Sequence, residues 1–235
     1  KYCIMKYSEI VDVYERLAST TKKLEKADIL AEFLPRLKGN EDWAYLFRGR
    51  VFPDYDEHEF GISTQLVIKA IARASGLVDE KVNNTFKKIG DLGEVALELV
   101  GKKKQNTLFS SHLSVDKVFG NLRRLVEISG KGAVDKKLGL IVELLGNASG
   151  KEAVYIIRTL LSDLRVGVAD AIIIDAIAKA FCPEDRDKVE DAYDLISDFA
   201  LILRAAEKGK KQLEKIEVVP GKPMNVMLPV KVTEM

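Results

Sequence analysis

At 235 residues, 47% hydrophobic and 31% charged, the chain has the balance of a globular protein that buries a real core in one large domain or two modest ones. Its two cysteines, Cys3 and Cys182, lie far apart without ligand spacing, so the sequence suggests neither a disulfide framework nor a zinc site and fits a reducing, cytoplasmic setting best. The formal net charge of +1 neither favours nor excludes a polyanion, and Asp170 and Asp175 interrupt the richest apolar run, so neither a membrane span nor a membrane partner is expected.

Lys1 is not a start methionine, whereas Met5 opens "MKYSEIVDVYERL", so residues 1–4 are read as additions ahead of a natural start. Tyr7, Ile10, Val11, Tyr14 and Leu17 fall on one face of a first helix. "PDYDEHEF" follows with four carboxylates and no Lys or Arg, and its His58 reads as an exposed loop residue. From Lys102 to Lys137 the sign reverses, nine basic residues facing three acidic ones. The chain is thus polarised along its length, which steers a polyanion toward one face or marks a solvated helix face. "KKKQNTLFSSH" opens this stretch, and its Leu108 and Phe109 either fold back into the core or dock on a partner.

Four more helices are predicted downstream. "SVDKVFGNLRRLVEIS" places Val115, Val118, Phe119, Leu122, Leu125 and Val126 at helical spacing behind an N-cap at Ser114. "SGKEAVYIIRTLLSDL" has a capping box in Ser149 and Glu152, with Ala153, Ile156, Ile157, Leu160 and Leu164 as its stripe. "AIIIDAIAKAF" ends at Pro183. The stretch from Glu184 to Glu207 puts Val189, Ala192, Tyr193, Ile196, Phe199, Ala200 and Leu203 on one face, with Gly209 as its stop. The fold class expected is all-α, a compact body of roughly ten helices over residues 5–207, followed by a charged linker at 208–220 and an extended, proline-punctuated tail at 221–235.

Constellations for catalysis are scarce. His58 and His112 have no cysteine or second histidine at ligand spacing, and GxSxG, P-loop and CxxC patterns are all absent. Glycines carry more information. "SGKGAVDKK", "NASGKE" and "LRVGVAD" each place a glycine-containing turn and a basic residue ahead of a helix. Helix N-termini expose free N–H groups, and glycine lets a phosphate approach them. Together the turns would grip a duplex without reading its bases. The competing account is ordinary turn and C-cap chemistry around Arg165 and Gly167.

"NLRRLVEISGKGAVDKKLGLIVELL" followed by "EAVYIIRTLLSDLRVGVADAIIIDAIAKAF" resembles the helical DNA-binding domain of archaeal and eukaryotic ATP-dependent DNA ligases. "MKYSEIVDVYERL", "VFPDYDEHEFGIS", "KKIGDLGEVA" and "HLSV" match it in the same order, from Met5 to Met235. The resemblance implies a grip on nicked double-stranded DNA through minor-groove phosphates. Gly130, Lys131, Gly132, Lys136 and Lys137 match the family's glycine turn, and Arg165 with Gly167 its Leu-Arg-x-Gly; Lys151 joins them from the second turn. Ala133 stands where the family often has serine, so backbone N–H contacts are expected there without a hydroxyl.

The resemblance further implies a sliding-clamp partner at Gln105, Leu108 and Phe109, a shortened form of the usual motif. It makes "PGKPMNVMLPVKV" the entry to a nucleotidyltransferase domain, whose Lys-x-Asp-Gly lysine takes up AMP with ATP and Mg as cofactors of the full-length enzyme. Because no Lys-x-Asp-Gly occurs in the 235 residues, this chain by itself is expected to bind no cofactor and to be inactive, with Lys222 the lysine to check first. The alternative from another class is an all-α protein-interaction scaffold that never touches DNA.

Overall fold

The computed structural model describes residues 4–101, 112–221 and 224. Twelve α-helices follow in chain order: α1 (Tyr7–Ala18), α2 (Lys23–Phe33), α3 (Thr64–Ser75), α4 (Asp79–Ile89), α5 (Leu92–Val100), α6 (Val115–Glu127), α7 (Ala133–Asn147), α8 (Gly150–Leu160), α9 (Asp170–Phe181), α10 (Arg186–Ile196), α11 (Phe199–Ala206) and α12 (Lys210–Leu213). Two 3-10 stretches, Leu34–Leu37 and Glu41–Arg48, lie between α2 and α3. Among the described residues there is no strand, only an isolated antiparallel bridge between Lys6 and Ser114. The fold is all-α, and no described helix is long and apolar enough to cross a membrane.

The chain divides into two compact units, each assembled from separate stretches of sequence. Unit 1 holds residues 1–22, 45–52 and 58–168, hence α1 and α3 to α8; unit 2 holds residues 23–44, 53–57 and 169–235, hence α2 and α9 to α12.

Unit 1 is organised by side-chain caps and glycine contacts. Ser63, Asp91, Ser114 and Ser149 each accept a backbone N–H in the first turn of the helix they precede, a bond that typically stabilises a helix by about 1 kcal/mol. The predicted stripe of α1 is buried in full, and Tyr14 lies 4.8 Å from Tyr155 between ring centroids while its hydroxyl donates to Leu46 O at 2.9 Å. Helices α5 and α8 approach closely because glycine stands at the contact. A Cβ on Gly150 would lie 2.9 Å from Leu97 Cδ1 and 3.3 Å from Gly101 Cα.

In unit 2 the single periodic stretch from 184 to 207 is two helices. Ser197 turns left-handed at φ 47°, and Asp198 accepts from Leu201 N to cap α11. The hydrophobic pattern runs through the break because both helices bury the predicted residues, Tyr193 stacking on Phe199 at 4.4 Å. Helix α11 stops at Ala206, ahead of Gly209, which at φ 92° instead precedes α12. The segment expected as a charged linker therefore contains a helical turn, fixed by buried Leu213 and by the ion pairs of Lys210 with Asp185 and Lys188 with Glu214. Of the tail only Gly221 and Met224 are described.

Candidate nucleic-acid interface

Every residue singled out as a phosphate contact lies in unit 1, and the structure gives the three glycine turns different roles. The turn before α7 is the open one. Gly130 and Gly132 both take positive φ, at 79° and 78°, a region that costs other residues roughly 1 kcal/mol or more. A Cβ on either would meet nothing within 4 Å, so the glycines serve the backbone path and leave it bare. Gly132 is the N-cap of α7 and has no side chain to satisfy the first-turn N–H groups; the Ala133 N–H, expected to meet a phosphate, instead donates to Gly130 O at 3.2 Å, so the bare donors are those further into the first turn. The positive end of this helix is therefore available to an anion.

Around it, the basic stretch sorts into used and unused cations. Lys117 pairs with Glu143 at 2.9 Å. Arg123 donates from Nε to Val51 O and lies over the Phe52 and Phe119 rings. Lys137 donates from Nζ to Phe60 O at 2.8 Å and so tethers the loop around residue 60. Lys131, Lys136 and Arg124 are exposed and have no ion-pair partner among the described residues. Arg124 and Lys136 line an open groove of about 620 Å³ between the end of α6 and α7, floored in part by Ser129 and Gly139. Gly139 is exposed in mid-helix with nothing within 4 Å of a Cβ. Sequence reasoning passed over it, although an unpacked glycine inside "KKLGLIVELL" costs about 1 kcal/mol of helix stability and was a signal in itself.

The turn before α8 is closed. Ser149 accepts from Glu152 N, and Glu152 accepts from Ser149 N at 2.7 Å, so the capping box occupies the donors a phosphate would use. Gly150 is a packing glycine against α5, which corrects the expectation that it admits a phosphate. Lys151 pairs with Glu15 at 2.9 Å, and Tyr155 donates to the same carboxylate at 2.6 Å. The Tyr155 hydroxyl first, then Lys151, hold the Glu15 carboxyl below its ordinary range.

The Leu-Arg-x-Gly turn has a third geometry. Helix α8 ends at Leu160, so Leu164 packs from a loop and Arg165 lies beyond any C-cap position. Leu164, Val166 and Val168 are buried while Arg165 and Gly167 are exposed, an alternation that sets the motif's two functional candidates on the outer side. Arg48 fixes the turn by donating to Val168 O at 2.8 Å. Arg165 itself has φ 59° and is held by Asp91 at 2.6 Å and Asp163 at 2.7 Å. Asp91 also accepts from Arg158 and, as the cap of α5, from Gly93 N and Glu94 N. Burial pushes the Asp91 carboxyl up, but the Arg158 hydrogen bond and charge, with those two N–H groups, outweigh it and hold the carboxyl below its usual range.

Gln105, Leu108, Phe109 and Lys222 lie outside the described residues. Among those described, no three His, Cys, Asp or Glu side chains are grouped to hold a metal ion.

Residues 6–178 match the family model described as DNA ligase N terminus. The chain is 41% identical over 227 residues to a DNA ligase of Methanobrevibacter smithii, covering 95% of this chain and 41% of that protein. A DNA ligase of Thermococcus fumicolans is 40% identical over 227 residues, 95% of this chain and 40% of its own. One from Methanopyrus kandleri is 36% identical over 228 residues, 95% and 41%. The chain thus spans about two fifths of the length of the relatives it matches.

Proposed function

Because the chain belongs to the DNA ligase N-terminus family, we propose that it is the part of an ATP-dependent DNA ligase that grips nicked duplex DNA through phosphates, without reading sequence. The observation that carries this reading is the uncapped N-terminus of α7 beside three uncommitted cations, Arg124, Lys131 and Lys136. A phosphate there gains the free N–H groups and helix dipole, and the cations neutralise its neighbours. Bare glycine backbone at 130, 132 and 139 permits close approach. Arg165 and Gly167 supply a second contact, while Lys137 and Lys151 add charge from side chains already holding internal acceptors.

The sealing chemistry, with its adenylated lysine, ATP and magnesium, is assigned to the remainder of the parent enzyme, at work in replication, repair and recombination. Gln105, Leu108 and Phe109 are assigned to a sliding clamp. This chain supplies the hold on DNA.

Titration of unrelated nicked duplexes at several salt concentrations tests the grip. Binding should be indifferent to sequence, and log K should fall against log salt with a slope of about −0.9 per phosphate neutralised, near −3 for the three free cations alone. Affinity that ignored salt would sink the reading.

A further inference from the structure

Arg165 presents an unusual combination: a non-glycine residue in left-handed backbone, exposed, with carboxylates on two sides of its guanidinium. Nε and Nη2 approach Asp163, and Nη1 donates to Asp91, which leaves N–H groups on both terminal nitrogens uncommitted. The two carboxylates are not equivalent. The Asp163 side chain is 54% exposed, whereas that of Asp91 is 11% exposed and fixed from three further directions by Arg158, Gly93 N and Glu94 N.

We propose that Asp91 is a positioning residue for DNA binding: by anchoring Nη1 it locks the Arg165 guanidinium and presents the remaining N–H groups to a phosphate. This rests on the DNA-gripping function given above. Two features separate positioning from mere competition with the phosphate. Asp91 is also bonded to Arg158, itself nearly buried and paired in turn with Glu94, so the carboxylate that anchors Arg165 is fixed by the fold and does not follow the arginine's motion. An exposed arginine held rigidly also loses less rotamer freedom on binding than one that must be ordered by the ligand. Asp91 thereby ties together "GDLG" and "LRVG", two motifs 74 residues apart at the linked side chains.

Nicked-duplex affinity of the wild type, Asp91→Asn, Arg165→Ala and the double variant, each across a salt series, provides the test. Asparagine remains a good N-cap, so α5 keeps its first-turn bonds. Asp91→Asn is expected to weaken binding by about fivefold and, like Arg165→Ala, to flatten the salt slope by about one unit. The double variant should bind no more weakly than Arg165→Ala, because the first residue acts only through the second, and Asp91→Glu should recover part of the loss. In the free protein, the Arg165 Nη1–H resonances, which report the bond to Asp91, should show slow exchange and hindered guanidinium rotation in the wild type and fast exchange in Asp91→Asn. Multiplicative losses in the double variant, tighter binding by Asp91→Asn, or unfolding of that variant would each overturn the proposal. If the wild type itself failed to bind, the DNA-gripping function would fall first and the purpose of the anchor with it.

Discussion

Unit 1 carries 23 Lys and Arg against 15 Asp and Glu, while unit 2 carries 14 against 21, together accounting for the 37 and 36 of the chain. A net charge near zero thus conceals one unit at +8 and another at −7. The difference extends to how the cations are used. In unit 2, Lys179, Arg186, Arg204 and Lys210 all pair with carboxylates of the same unit. In unit 1, Arg124, Lys131 and Lys136 have no ion-pair partner among the described residues around an open helix terminus. Whole-chain charge is therefore a poor guide to nucleic-acid binding; what steers a polyanion is local excess and the absence of internal partners.

The contrast breaks most easily by charge reversal. Lys131→Glu with Lys136→Glu should lower duplex affinity on the order of 100-fold at ordinary salt, whereas Lys208→Glu with Lys211→Glu, exposed in unit 2, should change it little. Similar losses from both pairs would show that the grip does not belong to unit 1.

Next in size is a steric test of the two kinds of glycine. Gly150→Val forces side-chain atoms into the α5 contact and should cost about 2 kcal/mol of stability in urea melts, without weakening DNA binding by the folded fraction. Gly139→Ala should do the opposite, adding up to about 1 kcal/mol through helix propensity while weakening DNA several-fold by placing a methyl in the groove beside Lys136. Stabilisation with undiminished affinity would move the interface away from that groove.

The smallest effect sharpens the comparison through pH. Glu207 in unit 2 has a buried carboxylate oxygen without a hydrogen-bond partner among the described residues, and burial, then the charge of Glu41, raise its pKa. Its folded form prefers the proton, so the ionised group costs stability at neutral pH. Glu207→Gln should stabilise by about 0.5 kcal/mol at pH 7, a gain that shrinks as pH falls through the raised pKa. Asp91 in unit 1 has the opposite sign. Its lowered pKa contributes stability that is complete above about 3.9 and is lost only as pH falls through the folded value. Melting temperatures of both variants between pH 3 and 7 would check the two directions.

The sequence by itself determined the helices, because their signals are local: side-chain caps bond within three residues, and apolar stripes repeat every third or fourth. Ser114, Ser149 with Glu152, the buried face of α1 and that of α6 except half-buried Val126 were legible in this way, as was the existence of α9. The family was legible too, since its motifs are short and ordered. Where two buried stripes abut, as at Ser197, local periodicity could not show the break, although the Ser-Asp pair marks a cap in retrospect. Only the tertiary structure decided which basic residues are spoken for. Arg123 meets Val51, Lys137 meets Phe60, Arg165 meets Asp91 and Lys151 meets Glu15 across 72, 77, 74 and 136 residues. Lysines alike in sequence become tethers or free charges according to the acceptor that folding brings within about 3 Å, and no spacing rule along the chain encodes that encounter.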